Sequence, residues 1–76
     1  MEEMLKTIVK YLVDDPNAIE VTKREEGKAT TLELRVAPND MGKIIGKHGR
    51  IANAIRVIMK AAGSVQHKKV FVEIVE

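Results

Sequence analysis

Between Asp40 and Ala52 the chain reads Asp-Met-Gly-Lys-Ile-Ile-Gly-Lys-His-Gly-Arg-Ile-Ala. Gly46 and Gly49 enclose Lys47 and His48, with Ile44 and Ile45 just before. Glycine is used where a chain turns sharply or lets another backbone come close. Cations between two such residues make a tip that can grip an anion. Lys47 and Arg50 supply the charge and Lys43 flanks them. Backbone N–H groups at the start of the helix that follows can face a phosphate. His48 adds a loop contact to phosphate. Catalysis does not fit these residues. His48 and His67 have no Cys, Ser or paired acids at a recognisable spacing, so no catalytic residue, metal set or cofactor is expected.

Other glycine motifs fail on spacing. A phosphate-binding loop of the nucleotide-hydrolase kind needs four residues between its glycine and the Gly-Lys pair, then Ser or Thr. Here three residues separate Gly42 from Gly46, and His48 follows Lys47. A dinucleotide fingerprint is absent, and Gly42 and Gly46 lie in no apolar span of membrane length.

The charge distribution agrees with an anionic partner. Net charge is only +2, but Lys43, Lys47, Arg50, Arg56, Lys60, Lys68 and Lys69 fall in a stretch with no acidic residue. A basic half on a mildly basic chain is the footprint of a polyanion binder. With one Tyr and one Phe, an aromatic platform for base stacking is not expected. The absence of cysteine excludes disulfides and thiolate metal sites. No membrane segment is expected, and Met1-Glu2-Glu3 lacks the basic start of a signal peptide, so the expected location is cytoplasmic.

The elements that must position the glycine loop are legible in order. Met1, Met4, Leu5, Ile8, Val9 and Leu12 recur at helical spacing and predict a helix from Met1 to Val13, stopped at Asp14-Asp15-Pro16-Asn17. Ile19–Glu25 and Thr30–Val36 alternate as strands, joined at Glu26-Gly27-Lys28 into an antiparallel hairpin. Asn39 or Asp40 is a suitable N-cap for a short helix from Met41 to Ile45, ended by Gly46. A second helix should run from Arg50 to Ala62 with Gly63 as its C-cap. After a loop, Lys68–Val75 alternates as a third strand. The order helix, strand, strand, helix, helix, strand in one domain over 1–76 predicts an α+β sandwich, three helices on a three-stranded sheet.

On the long helix, Ile51, Ile55, Ile58 and Ala62 form the expected apolar centre, and apolar residues also flank it on both sides. The surplus gives two readings: a helix wedged deep in the fold, or a flank at Val57, Ile58 and Ala61 that packs on a second copy. Asn53, Arg56 and Lys60 form a polar stripe that continues the anion-binding surface away from Lys47.

Gly-x-x-Gly between two short-linked helices clamps the backbone of about four nucleotides in KH domains. The run Val36 to Arg50, followed by Ala52-x-Ala54-Ile55-Arg56, resembles the KH signature, and the element order resembles the type II arrangement. Over essentially its whole length the chain is similar to the KhpA family of small bacterial single-KH proteins. That resemblance implies single-stranded RNA as the ligand, held by Lys43, Ile44, Gly46, Lys47, His48, Gly49, Arg50, Asn53, Ala54 and Arg56. The bases would lie in an aliphatic groove built from Val36, Ile44, Ile45, Ile51 and Ala54, of which Ile45 and Ile51 are the residues expected to be buried. It further implies a third strand parallel to the second, a homodimer, pairing with a larger KhpB (Jag/EloR)-like protein, and an RNA-chaperone or post-transcriptional role tied to cell shape and division. A protein-interaction module and a factor that binds structured RNA in ribosome or transcript processing are the alternative functions.

Overall fold

The computed structural model describes residues 1–75, with Lys47 described through its backbone alone. Helix α1 spans Glu2–Lys10, with Glu2 and Glu3 in its first turn and Lys10 in its last, the charge order the helix dipole favours. Leu5 and Val9, four apart, are fully buried. The helix stops short of the expected Val13. Leu12 N–H turns back to the Val9 carbonyl at 2.8 Å. The N–H groups of Asp14 and Asp15 go instead to the carboxylate of Asp40, at 3.0 and 3.1 Å.

Strands β1 (Glu20–Glu26) and β2 (Ala29–Arg35) pair antiparallel, from Glu20 opposite Arg35 to Glu26 opposite Ala29. The two-residue turn between them uses Gly27 at φ +60°, as hairpin turns of this length require. Strand β3 (Lys69–Ile74) lies beside β2 and parallel to it, giving the order β1-β2-β3. A parallel neighbour needs a long crossover, and helices α2 (Met41–Ile45) and α3 (Arg50–Val65) supply it. The expected α+β architecture, including the parallel third strand, is therefore the observed one.

The core forms between one face of the sheet and the helices. Leu32, Leu34, Val36, Val70 and Val72 meet Leu5 and Val9 of α1, Ile44 of α2, and Ile55 and Met59 of α3. The other sheet face carries no helix-facing apolar row: Thr31, Glu33 and Arg35 alternate with the buried residues of β2.

Three further expectations change. Gly63 is not a C-cap. It is buried inside α3, where a Cβ would stand 2.4 Å from Val70 Cγ2 and 3.0 Å from the Lys68 carbonyl. Glycine is needed there because β3 crosses so close. The helix continues to Val65 and ends in a Schellman arrangement: His67 is left-handed (φ +59°), its N–H reaches the Ser64 carbonyl, and Lys68 N–H reaches that of Gly63. Histidine tolerates this conformation better than most non-glycine residues. Second, the buried line of α3 is Ala52, Ile55, Met59 and Gly63, so the apolar centre is rotated from the expected one and Ile58 is 43% exposed. Third, Asp40 precedes α2 without capping it, because its carboxylate is spent on Asp14 and Asp15.

Candidate nucleic-acid interface

The loop 46–49 is built by backbone conformation. Gly46 ends α2, its N–H bonded to the Gly42 carbonyl at 2.8 Å. It sits at φ +64°, ψ −176°, a region essentially reserved for glycine. A Cβ there would meet Ile51 side-chain atoms at 3.1 to 3.2 Å. His48 (φ +58°, ψ 27°) and Gly49 (φ +72°, ψ 14°) are both left-handed. A Cβ on Gly49 would meet nothing within 4 Å among the described residues. The two glycines thus do different jobs: Gly46 lets Ile51 come close, and Gly49 leaves open space at the tip.

Directly after Gly49, α3 begins at Arg50, and among the described residues no side chain caps its first turn. Its leading N–H groups have no partner within the helix and are left for solvent or an anion. Arg50 and His48 are exposed beside them. The Lys47 side chain, the central cation of the sequence reading, lies outside the described residues.

Lys43 is placed differently from expectation. Its ammonium is ion-paired with the Asp14 carboxylate and lies 3.6 Å from Asp40 Oδ1. The hydrogen bond to Asp14 raises the Lys43 pKa, helped by both carboxylates. Asp40 is held below the usual carboxylate range, first by the N–H of Asp14, then by that of Asp15 and by Lys43. This cluster ties the end of the α1 segment to the start of α2. Lys43 therefore braces the arm of the loop, and its charge is already balanced.

The aliphatic contacts also shift. Ile44, expected at the groove surface, is fully buried in the core, and Ile45 is 45% exposed. The reason is helical spacing: Met41 and Ile44, three apart, share the core side of a helix of little more than one turn, which turns Ile45 outward. Val36 is likewise core. The apolar groups left for a ligand are Ile45, part of Ile51 and the exposed Ala54.

Asn53 and Arg56 continue the surface along α3. Arg56 Nη1 donates to Asn53 Oδ1 at 3.2 Å, and Arg56 Nε donates to the Val72 carbonyl at 3.2 Å. The arginine thus spans from α3 to β3. Beyond it a groove of about 820 Å³ runs between them, lined by Lys60 and Ser64 on one side and Lys68 to Glu73 on the other. This strand side of the surface was missed from sequence. Lys68 and Lys69 were visible as part of the acid-free stretch, but not their place opposite Arg56. Val57, Ile58 and Ala61 are all exposed, Val57 by 67%. Among the described residues no group of three His, Cys, Asp or Glu could hold a metal ion, and no helix is long and apolar enough to cross a membrane.

Comparison with known proteins adds the relationship. The chain matches a family model described as KhpA/KhpB, KH domain, over residues 2–74. It is 53% identical over 75 residues to the RNA-binding protein KhpA of Caldanaerobacter subterraneus subsp. tengcongensis, covering 99% of this chain and 100% of the relative. It is 47% identical to the protein of that name from Listeria monocytogenes serovar 1/2a, over the whole of both chains. Among solved structures, a variant of Era from Aquifex aeolicus shares the fold, with TM-score 0.68 and 21% identity. That match takes in 96% of this chain and 28% of the Era chain. A family match along nearly the full length, on the expected fold and with the glycine loop in place, settles the relationship: this chain belongs to the KhpA/KhpB KH-domain family.

Proposed function

We propose that the chain binds single-stranded RNA, with the loop 46–49 gripping the phosphate backbone, and acts as a post-transcriptional regulator or RNA chaperone. The family is a non-enzymatic one, and its relatives carry the name RNA-binding protein. The observation that carries the reading is the junction at Gly49: a left-handed residue in open space followed by an uncapped helix start flanked by Arg50. Gly46, His48, Gly49 and Arg50 hold the backbone together with Lys47. Ile45, Ile51 and Ala54 receive bases, and Asn53 and Arg56 extend the strand's path along α3. Lys43 acts indirectly, by bracing α2.

A second reading concerns assembly. Val57, Ile58, Ala61 and Val65 are all exposed on α3, with Val65 at 81%. An apolar stripe of this kind marks a protein contact. It supports a homodimer, or a heterodimer with a KhpB (Jag/EloR)-like protein, which would connect RNA binding to cell shape and division. Pairing would also raise affinity by presenting two clamps to one RNA.

The test is competition. Single-stranded RNA, duplex RNA and single-stranded DNA of one sequence are titrated against labelled single-stranded RNA. The proposal expects single strands to compete and the duplex to compete poorly. Preference for the duplex would instead favour a role on structured RNA.

A further inference from the structure

Phe71 is the only phenylalanine of the chain, and it is 55% exposed. Composition argued against any aromatic platform, yet the fold places this ring in the open. Along β3, Val70 and Val72 are buried beneath α3, so Lys69, Phe71 and Glu73 project from the sheet face that carries no helix. Phe71 lies opposite Thr31 of β2, and β3 is an edge strand, so no further strand covers the ring's outer flank.

The edge itself is partly free. Lys69 N–H bonds the Lys28 carbonyl and Val75 N–H bonds that of Leu34, so the odd positions turn toward β2. Val70, Val72 and Ile74 then direct their backbone groups outward, as alternation in a parallel ladder demands. Arg56 already occupies the Val72 carbonyl. Among the described residues the groove beside this edge is lined by the cations Arg56, Lys60, Lys68 and Lys69 and by one acid, Glu73. Glu73 lies 3.8 Å from Arg24, and Lys68 lies 3.7 Å from Glu25. Among the described residues Lys60 and Lys69 form no ion pair.

An extended peptide could add to a free sheet edge. Two features speak against it here: Arg56 takes the central carbonyl, and the cation excess suits a polyanion. An exposed ring that lines one groove with two unpaired ammonium groups matches what single-stranded nucleic acid binders use, since every base has a π-face to stack. We infer that Phe71 is a base-stacking platform for the same RNA strand, taking a nucleotide beyond the loop clamp while Lys60 and Lys69 meet the neighbouring phosphates. This rests on the RNA-binding reading above. From Arg50 to Lys60 the helix rises about 15 Å, which sets this end of the groove well apart from the loop, and the ring is assigned the nucleotide next after the group of about four held there.

The experiment uses oligouridylates of about four and about ten nucleotides. Wild type should bind the longer one more tightly. Phe71→Ala should weaken the longer one by about 5- to 150-fold, the range stacking of one base gives, and leave the shorter one unchanged. The chain has no tryptophan, so Phe71→Trp introduces a single indole that can be excited apart from Tyr11. Its emission should be quenched by the longer oligomer and not by the shorter. Equal affinity of wild type and Phe71→Ala for the longer RNA overturns the inference while leaving the loop reading intact. So does an equal loss for both lengths, which would mark a structural effect, or a change confined to the mass in solution, which would mark a protein contact. Failure of wild type to bind either oligomer overturns the loop reading as well.

Discussion

Replacing Gly46 by Ala tests how the loop is built. Two costs are legible in the structure. At φ +64°, ψ −176° a non-glycine residue is strained by about 1–3 kcal/mol. The new Cβ would also lie 3.1 to 3.2 Å from three atoms of the half-buried Ile51, an overpacking that costs about 1–3 kcal/mol. The sum is about 2–6 kcal/mol, against a total stability of about 4–11 kcal/mol for a chain of this length. Gly49→Ala is the internal control. It shares the positive φ but has nothing within 4 Å, so only the left-handed conformation is penalised, at about 1–2 kcal/mol. Urea unfolding followed by circular dichroism should rank the variants wild type, Gly49→Ala, Gly46→Ala. With a slope of about 1 kcal/mol per molar, the last should lose at least about 2 M of midpoint or arrive unfolded. In a double-mutant cycle, Ile51→Ala should recover part of the Gly46→Ala loss, since it removes two of the three close atoms. Equal losses at the two glycines would refute the assignment of a packing role to Gly46.

Other positions give independent checks. Gly63→Ala improves helix propensity by about 1 kcal/mol and would stabilise an unpacked helix. Here the 2.4 Å approach to Val70 should reverse the sign and cost about 1–3 kcal/mol net in denaturant unfolding. Val57→Lys, at a 67% exposed position, should leave the circular dichroism spectrum and unfolding midpoint within about 0.5 kcal/mol of wild type while lowering the mass in solution to that of the single chain. An unaltered mass would remove α3 from the assembly. Asp40 carries the acid sensitivity. Its folded carboxyl is held below the unfolded value, so its stabilisation is complete above about pH 4 and is lost as pH falls through the lower folded value. Thermal midpoints measured from pH 6 to 2 should decline, and less steeply in Asp40→Asn. Glu25, lowered chiefly by Lys23, accounts for some of the decline that remains. An identical slope in the variant would show that Asp40 is not the group responsible.

Much of the fold could be read from periodicity. Leu32, Leu34 and Val36 alternate cleanly and are buried, and the glycine loop stands between the two helices as its spacing requires. The misreadings share one cause: local rules were overridden by contacts distant in sequence. Gly63 looked like a helix end because glycine usually serves there, but its role is set by Val70 on the crossing strand. Asp40 looked like a cap, but its oxygens are claimed by Asp14 and Asp15, 26 and 25 residues away. Ile44 and Ile45 exchange places because a helix this short fixes its own rotation only through what it packs on. Lys43 was counted as a free cation because its partner Asp14 lies on another element. The alternation of β3 sets Phe71 on the face opposite Val70 and Val72, but only the edge position of β3 and the nearby lysines make that face a candidate surface.

The salt dependence of binding reads directly whether the loop 46–49 grips phosphate. Affinity for a single-stranded RNA of about ten nucleotides is measured over a potassium chloride series for wild type and for the double variant Lys47→Asp, His48→Asp. For single strands the logarithm of the binding constant falls by about 0.7 per neutralised phosphate for each unit in the logarithm of salt. Wild type should show a steep slope. In the double variant affinity should be at least about tenfold lower at low salt and the slope shallower by about 0.7 or more, with the unfolding midpoint retained. Wild-type affinity and slope in a folded double variant would contradict that grip and move the RNA-binding surface away from the loop.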